Sequence, residues 1–287
     1  MNSLRHRTSI ITGSFLILSV FITYVVVQTI TNNKNITLAD STSSTCQSFP
    51  LELSLEEAES MNASSDVCWW VDSGASFSVH NGIGQTHMGP IYHGSRWRQL
   101  YALSDPIDTE NGSYPQNIFR LINKVPRQDF YGEFYFNIKS YQTSKSPERN
   151  GSNGVLFLGR YVNADNLYYA GVRVDGTAVI KRKLNGLYET LGTVTLDNGT
   201  DYDRTKNPNV LPIGEWIGLS MNIKNETDAR VMIQLGIYRH NTWQTVLTVI
   251  DDPSRLPNGV MLTHAGNIGI RTDFMDVEFK NYKITTL

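Results

Sequence analysis

Aromatic and cationic side chains recur at alternate positions of several predicted β-strands. Tyr135, Tyr169, Arg173, Lys181 and Arg271 all fall on the more polar face of their segments. Tyrosine rings offer flat faces for stacking, and arginine and lysine donate charged hydrogen bonds. Because successive side chains of a strand point to opposite faces, these five residues could together form a binding floor. The alternative is that they line an outer face and are only solvated.

Other residue patterns that could support chemistry are weaker. Acidic side chains cluster in two predicted loops, where calcium could bind because it takes several oxygen ligands. Solvated turn carboxylates are the simpler interpretation. Three histidines, spaced seven and six residues apart, fit neither a helical nor a simple strand zinc site. The residues concerned are Asp105, Asp108, Glu110, Asp197, Asp201 and Asp203, and His80, His87 and His93.

The clearest β signal lies in residues 154–187. Three apolar-rich runs are separated by residues 163–166 and by the pair Asp175-Gly176. An Asp-Gly pair between alternating runs is a strong hairpin signal, since both central turn positions favour positive φ. Period-two alternation with one polar face indicates an antiparallel sheet that packs on one side. The segment is therefore predicted to be a three-stranded meander.

Further strands are predicted on both sides of this meander, and no helix long enough for a parallel crossover lies between them. About a dozen closely spaced strands predict a single all-β domain, an antiparallel jelly-roll β-sandwich over residues 67–287. The predicted strands are 75–80, 95–102, 117–122, 130–141, 188–196, 216–224, 229–239, 243–250, 266–271 and 277–284.

The N-terminus predicts a membrane anchor. Arg5 and Arg7 precede a charge-free run over residues 8–33. About 20 apolar residues can cross a bilayer as a helix, and a signal-peptide core has only roughly 7 to 15. We therefore expect an uncleaved transmembrane signal anchor over residues 9–30, and a removed signal peptide is the alternative. The positive-inside tendency places residues 1–8 in the cytoplasm, residues 31–66 in an extracellular stalk, and the β domain outside the cell.

Two cysteines and six sequons agree with export. Cys46 and Cys68 are the only cysteines, an even number that predicts one disulfide in an exported chain. Two free buried thiols are the alternative. Asn-x-Ser/Thr sequons are candidate glycosylation sites, although an asparagine-rich chain contains several by chance. They are Asn35, Asn62, Asn111, Asn150, Asn198 and Asn225.

Composition narrows the class of partner. The chain has 287 residues, with 10 prolines, 22 glycines and 14 tyrosines, which is typical of a β-rich globular protein. Its formal net charge is −2. A nucleic-acid-binding protein needs a basic surface, so we expect no nucleic-acid partner.

Several segments resemble the concanavalin A-like lectin/glucanase family, the jelly roll shared with laminin-G-like modules. The resemblance is carried by residues 117–122, 132–139, 154–186, 213–224 and 266–284. It implies carbohydrate recognition on the concave sheet or on loops at its rim. It also implies a calcium ion near the last strand, where Asp276 stands at the position of the ligand, and calcium is the only cofactor expected.

The sequence departs from the catalytic patterns of this family. Its retaining glucanases carry Glu-x-Asp-x-x-Glu on one strand, and here the corresponding segment has only Glu133. A Gln-x-His match to related lyases occurs once, at Gln85 and His87, and chance explains it better. No catalytic residue is assigned. We expect a membrane-anchored extracellular module, of lectin-like type, that binds a polysaccharide or cell-surface glycan or serves in adhesion. The alternatives are a surface glycoside hydrolase or polysaccharide lyase with atypical catalytic residues, and a structural envelope subunit.

Overall fold

The protein is described by a computed structural model that covers residues 46–196, 201–239, 241–255 and 262–287. This part of the chain contains fifteen strands, one α-helix and four short 3-10 helices. The strands are β1 Glu52–Glu56, β2 Trp69–Ser73, β3 Ser76–His80, β4 Ile83–Thr86, β5 Ile118–Arg127, β6 Phe130–Tyr141, β7 Gly154–Asn163, β8 Asn166–Arg173, β9 Thr177–Leu184, β10 Leu187–Thr195, β11 Ile217–Asn225, β12 Val231–Arg239, β13 Thr242–Asp251, β14 Gly266–Asp273 and β15 Met275–Thr286, and the helix is α1 Arg96–Ser104.

The strands form two antiparallel sheets. One has eight strands in the order β1-β3-β4-β15-β6-β11-β12-β13, and the other has seven in the order β10-β9-β8-β7-β14-β5-β2. Neighbours in the sheets are often distant in sequence, as when β14 lies between β5 and β7. The predicted class, an antiparallel β-sandwich, is confirmed.

Aromatic and aliphatic side chains fill the space between the sheets. Phe134 on β6 lies 4.7 Å from Phe157 on β7 and 5.8 Å from Phe279 on β15, measured between ring centroids. All three are fully buried. Each such side chain stabilises the fold by about 1.5–3 kcal/mol through removal from water. The alternation seen in the sequence therefore marks the inner face of both sheets.

The predicted meander is confirmed as β7, β8 and β9, which pair as neighbours in the seven-stranded sheet. Gly176 has φ of +81°, as the turn requires. The Asp175 carboxylate accepts a hydrogen bond of 3.0 Å from the Thr177 N–H and fixes the turn. Tyr168, Ala170 and Val172 face the core, so Tyr169 and Arg173 belong to the outer face.

One predicted strand is wrong. Residues 95–102 are predicted as a strand, but residues 96–102 belong to α1 and Ser95 is its N-cap. The Ser95 side chain caps the helix by accepting a hydrogen bond of 3.2 Å from the Trp97 N–H. Arginine, glutamine, leucine and alanine, which are frequent in this segment, favour helix. The alternating pattern is too short to exclude a helix in this segment. The N-cap serine favours the helix over the strand.

The boundary of the predicted stalk is also wrong for residues 46–66, which belong to the folded domain. The strand β1 pairs with β3 at the edge of the eight-stranded sheet, and Leu55 is 1% exposed. The predicted disulfide between Cys46 and Cys68 is present. Glu52 and Glu56 of β1 are exposed while Leu55 points into the core, so an acidic composition concealed an amphipathic strand. Residues 46–66 are therefore part of the folded domain.

The predicted cytoplasmic tail, the transmembrane anchor and the first part of the stalk lie outside the described residues and stay predictions. Within the described ranges, no helix has the length and hydropathy needed to span a bilayer. Of the six sequons, Asn35 and Asn198 also lie outside these ranges, while Asn62 and Asn111 are exposed. The side-chain amide of Asn225 donates to the Thr263 carbonyl at 2.9 Å.

Candidate functional site

A pair of tyrosines marks the outer face of the seven-stranded sheet. Tyr169 projects from β8 and is 3% exposed, whereas Tyr188 on β10 is 54% exposed. Their ring centroids lie 5.9 Å apart with an angle of 30° between the planes. Because β9 separates the two strands, the rings lean over it toward each other. A partly exposed aromatic surface results, supported from below by a buried ring.

Cationic side chains surround this pair. The ammonium of Lys181 on β9 lies 5.8 Å from the ring centroid of Tyr188, and that of Lys183 lies 4.9 Å from it. On the other side, the guanidinium of Arg271 on β14 lies 5.8 Å from the ring centroid of Tyr169 and donates to its hydroxyl at 3.4 Å. Cation–π contacts of this kind hold both rings and cations in place.

Arg173 lies at the end of β8 and holds a loop rather than projecting freely. Its Nε donates to the Gly151 carbonyl at 3.1 Å, and its Nη2 donates to the Ser152 hydroxyl at 2.7 Å. The same guanidinium pairs with Asp175 at 3.1 Å. The loop after β6 is thereby fixed against the sheet as a wall beside the tyrosines.

A second contact braces the same loop from its other side. The guanidinium of Arg204 donates to the Arg149 carbonyl at 2.8 Å and to the Ser146 carbonyl at 2.6 Å. Arg149 in turn donates to the Arg204 carbonyl at 3.0 Å. Two arginines thus exchange backbone hydrogen bonds between the loops, so the wall is held at both ends.

Floor and wall enclose a cleft of about 460 Å³, which we call the tyrosine cleft. Its size suits a small ligand or one or two sugar rings of a longer chain. The floor includes Leu156, Tyr169, Val179, Lys181, Tyr188 and Arg271, and the wall includes Asp108, Glu148, Asn150 and Ser152.

The two tyrosines of the cleft have pKa values shifted in opposite directions. Burial raises the pKa of Tyr169 to about 12. Burial acts in the same direction on Tyr188, but the charge of Arg271, the neighbouring Tyr169 and the charge of Lys183 together bring the pKa of Tyr188 below its ordinary value. Burial, followed by repulsion from Arg173, lowers the pKa of Lys181. The cations Lys181 and Arg271 therefore lie on the floor of the cleft, whereas the carboxylates of Asp108 and Glu148 lie on its wall.

The five predicted binding residues do not share one face. Tyr169, Lys181 and Arg271 line the tyrosine cleft, and Arg173 supports its wall. Tyr135 lies instead on the outer face of the eight-stranded sheet. Alternation within a strand cannot show which sheet the strand joins, and that is why a single floor of five residues was predicted.

The surroundings of Asp276 do not fit a calcium ion. One carboxylate oxygen accepts hydrogen bonds from the Gly89 N–H at 3.0 Å and the Ser140 hydroxyl at 2.7 Å, and the other accepts from Gln116 Nε2 at 2.9 Å. These partners are donors, whereas calcium requires oxygen acceptors. Throughout the described ranges, no group of three or more His, Cys, Asp or Glu residues is arranged to hold a metal. Calcium at Asp276 stays a prediction without structural support, and His87 lies beside this carboxylate rather than in the cleft.

Tyr188 is the main residue of the cleft that was missed. The sequence placed it at the start of a strand without assigning it a role. The register of β10 against β9 sets Tyr188 opposite Lys183, and that places its ring on the outer face. The sequence signal for this residue lies in the lysines of β9. An aromatic residue just after a short hairpin turn faces the side chains of the preceding strand, which here are lysines.

Comparison with known proteins gives likeness at the level of the fold. No family model matches the chain, and no curated protein matches it in sequence. Among solved structures, a carbohydrate-binding module, CBM66 from Bacillus subtilis, is 12% identical and aligns over 77% of this chain and 98% of its own, with a TM-score of 0.47. A winged bean acidic lectin complexed with methyl-α-D-galactose is 13% identical over 81% and 96%, also with a TM-score of 0.47. A Bacillus licheniformis β-glucanase is 7% identical over 84% and 100%, with a TM-score of 0.42.

These similarities are too low to say anything about activity. The two antiparallel sheets establish the sandwich without them. The sandwich that the resemblance implies is present, and membership of the concanavalin A-like lectin/glucanase family stays a prediction.

Proposed function

We propose that the protein binds carbohydrate in the tyrosine cleft. The observation that carries this proposal is the half-exposed ring of Tyr188, which lies 5.9 Å from the buried ring of Tyr169 and is flanked by lysine and arginine donors. A sugar ring has an apolar face and a rim of hydroxyls. An aromatic surface with charged donors at its edge complements both features.

The finer part of the proposal concerns location. We propose that the domain faces the outside of the cell, tethered by the anchor predicted over residues 9–30. The Cys46–Cys68 disulfide supports this, since disulfides persist in oxidising compartments. The predicted partners are a polysaccharide or cell-surface glycan and, through the anchor, the membrane.

A glycan array followed by calorimetry tests the proposal. The full-length chain should bind at least one glycan, and Tyr188→Ala should weaken that binding by about tenfold or more, as expected for an aromatic anchor. Tyr135→Ala is the matched control because it removes the same ring from the other sheet, and it should leave the affinity unchanged. Absence of binding to every glycan, or equal losses in both variants, would contradict the proposal.

A glycoside hydrolase or polysaccharide lyase is the second candidate, and Tyr188 is the observation that favours it. A phenol whose pKa is lowered by neighbouring cations is suited to proton transfer. Release of reducing ends or of unsaturated uronates would reveal such activity. Tyr188→Phe separates the two candidates, since it keeps the ring for binding and removes the hydroxyl. A pure binder keeps its affinity in this variant, whereas an enzyme that uses the phenol loses turnover.

A further inference from the structure

The cations around the tyrosine cleft differ in how they are neutralised. Arg173 pairs with Asp175 at 3.1 Å, Lys183 with Asp165 at 3.2 Å, and Arg271 with Asp273 at 2.8 Å. Lys181 lies among them on β9 and has no carboxylate within ion-pair distance in the described part of the chain. Its ammonium lies over the face of Tyr188, 5.8 Å from the ring centroid.

The acidic residues that line the cleft do not pair with Lys181, and Asp175, whose charge acts on it, is paired with Arg173. The Asp273 carboxylate is held by Arg271, and the Asp108 carboxylate accepts a hydrogen bond from the Ser146 hydroxyl. Glu148 lies exposed on the wall loop. A half-buried ammonium without a counter-ion is unfavourable, and burial together with Arg173 accordingly lowers its pKa. An anionic group entering the cleft would remove this penalty.

We propose that the tyrosine cleft selects an acidic sugar whose anionic group pairs with Lys181. This inference rests on the proposed carbohydrate binding and names the class of ligand. Tyr188 contacts the face of the sugar ring, with the buried ring of Tyr169 beside it. Lys181, on the strand between them, receives the carboxylate of a uronate or the sulfate of a sulfated sugar. Both groups present the same chemistry, an anion with several acceptor oxygens.

Two pairs of polymers that differ in charge test the inference on the full-length chain. Polygalacturonate is compared with its fully methyl-esterified form, and dextran sulfate with dextran. Each acidic polymer should bind more tightly than its neutral partner if the cleft accepts both sources. Binding within only one pair identifies whether carboxylate or sulfate is the natural group, and supports the inference equally.

Variants separate pairing with Lys181 from general attraction to polyanions. Lys181→Gln should weaken binding of the acidic polymer by roughly tenfold, and Lys181→Arg should restore most of it. Lys139→Gln is the control, since Lys139 projects from the eight-stranded sheet and pairs with Glu278, so the variant changes the net charge equally far from the cleft. It should have no effect. Thermal unfolding of each variant verifies the fold.

The failures are distinguishable. If a neutral polymer binds as tightly as its acidic partner and Lys181→Gln changes nothing, the inference is overturned while carbohydrate binding stands. If Lys139→Gln weakens binding as much as Lys181→Gln, the attraction is non-specific and the inference is also overturned. If no acidic polymer and no glycan binds, both proposals fail together.

Discussion

The outer faces of the two sheets both carry tyrosines, but these tyrosines have different surroundings. On the seven-stranded sheet, Tyr169 and Tyr188 lie beside a loop wall, with Lys181 unneutralised between them. On the eight-stranded sheet, Tyr135, Tyr238 and Trp243 form an aromatic patch with ring centroids 5.4 to 5.9 Å apart. The first arrangement is recessed and charged, and the second is a cluster of rings in contact with one another.

The aromatic patch depends on a missing side chain. Gly218 lies on β11 between the strands that carry Tyr135 and Tyr238. A Cβ atom there would come within 2.5 Å of the Tyr238 Cβ atom and 3.0 Å of Trp243. The three rings therefore pack over the glycine and contact one another. Aromatic rings alone therefore do not define a site. The tyrosine cleft differs from the aromatic patch in its loop wall and in Lys181, which pairs with no carboxylate in the described residues.

The largest expected effect concerns what supports the cleft from below. Arg182, 1% exposed on the inner side of β9, donates to Asp251 on the opposite sheet at 2.7 and 2.8 Å and also contacts Glu189. Arg182→Met leaves the buried Asp251 carboxylate without its counter-ion. It should lower the free energy of unfolding by about 3–5 kcal/mol, measured by denaturant titration.

Lys183→Met is the control for this change because it removes a cation from the outer side of the same strand, next to Arg182 in sequence. Its expected cost is within about 0.5 kcal/mol. A loss below about 1 kcal/mol in Arg182→Met would mean that the ion pair does not hold the two sheets together at this edge. Apolar packing between the sheets would then hold β9 in place beneath the cleft, as it does elsewhere in the core.

A smaller effect is expected at the wall. Arg173→Gln removes the hydrogen bonds to Gly151 and Ser152, and loosens the loop without touching the floor. Each charged hydrogen bond stabilises the wall loop by about 1.5–3 kcal/mol, and only part of this loss is expected to reach ligand binding. The affinity for the glycan should therefore fall by about three- to tenfold. Calorimetry measures the affinity, and limited proteolysis within residues 142–153 should become faster. Unchanged proteolysis with reduced affinity would indicate that Arg173 contacts the ligand itself.

The smallest effect is a pH dependence. Burial and the charge of Arg173 lower the pKa of Lys181. Its ammonium is therefore lost at a lower pH than that of an ordinary lysine, whose pKa is about 10.4. Binding of an acidic polymer should be full at neutral pH and decline as the pH rises through this lowered pKa. Lys181→Arg should remove the decline, because arginine stays protonated. The same decline in the arginine variant would assign the titration to another group.

Much of the fold could be predicted from local pattern. The alternation of β7 to β9 and the Asp175-Gly176 turn specify a hairpin through neighbours in sequence alone. The strand β1 was missed because only Leu55 distinguishes it from a solvated acidic segment. The helix α1 was missed because the cap at Ser95 outweighed a short alternation. Both errors lie where one or two residues decide between competing structures.

The candidate site was predictable in part. That Tyr169, Lys181 and Arg271 face outward follows from a period of two residues, and the sequence by itself determined this, together with the all-β class and the disulfide. Only the tertiary structure placed β14 beside β7, brought Arg271 to Tyr169, and assigned Tyr135 to the other sheet. The physical reason is that alternation fixes the direction of a side chain within its strand, whereas the order of strands in a sheet is set by packing between distant segments.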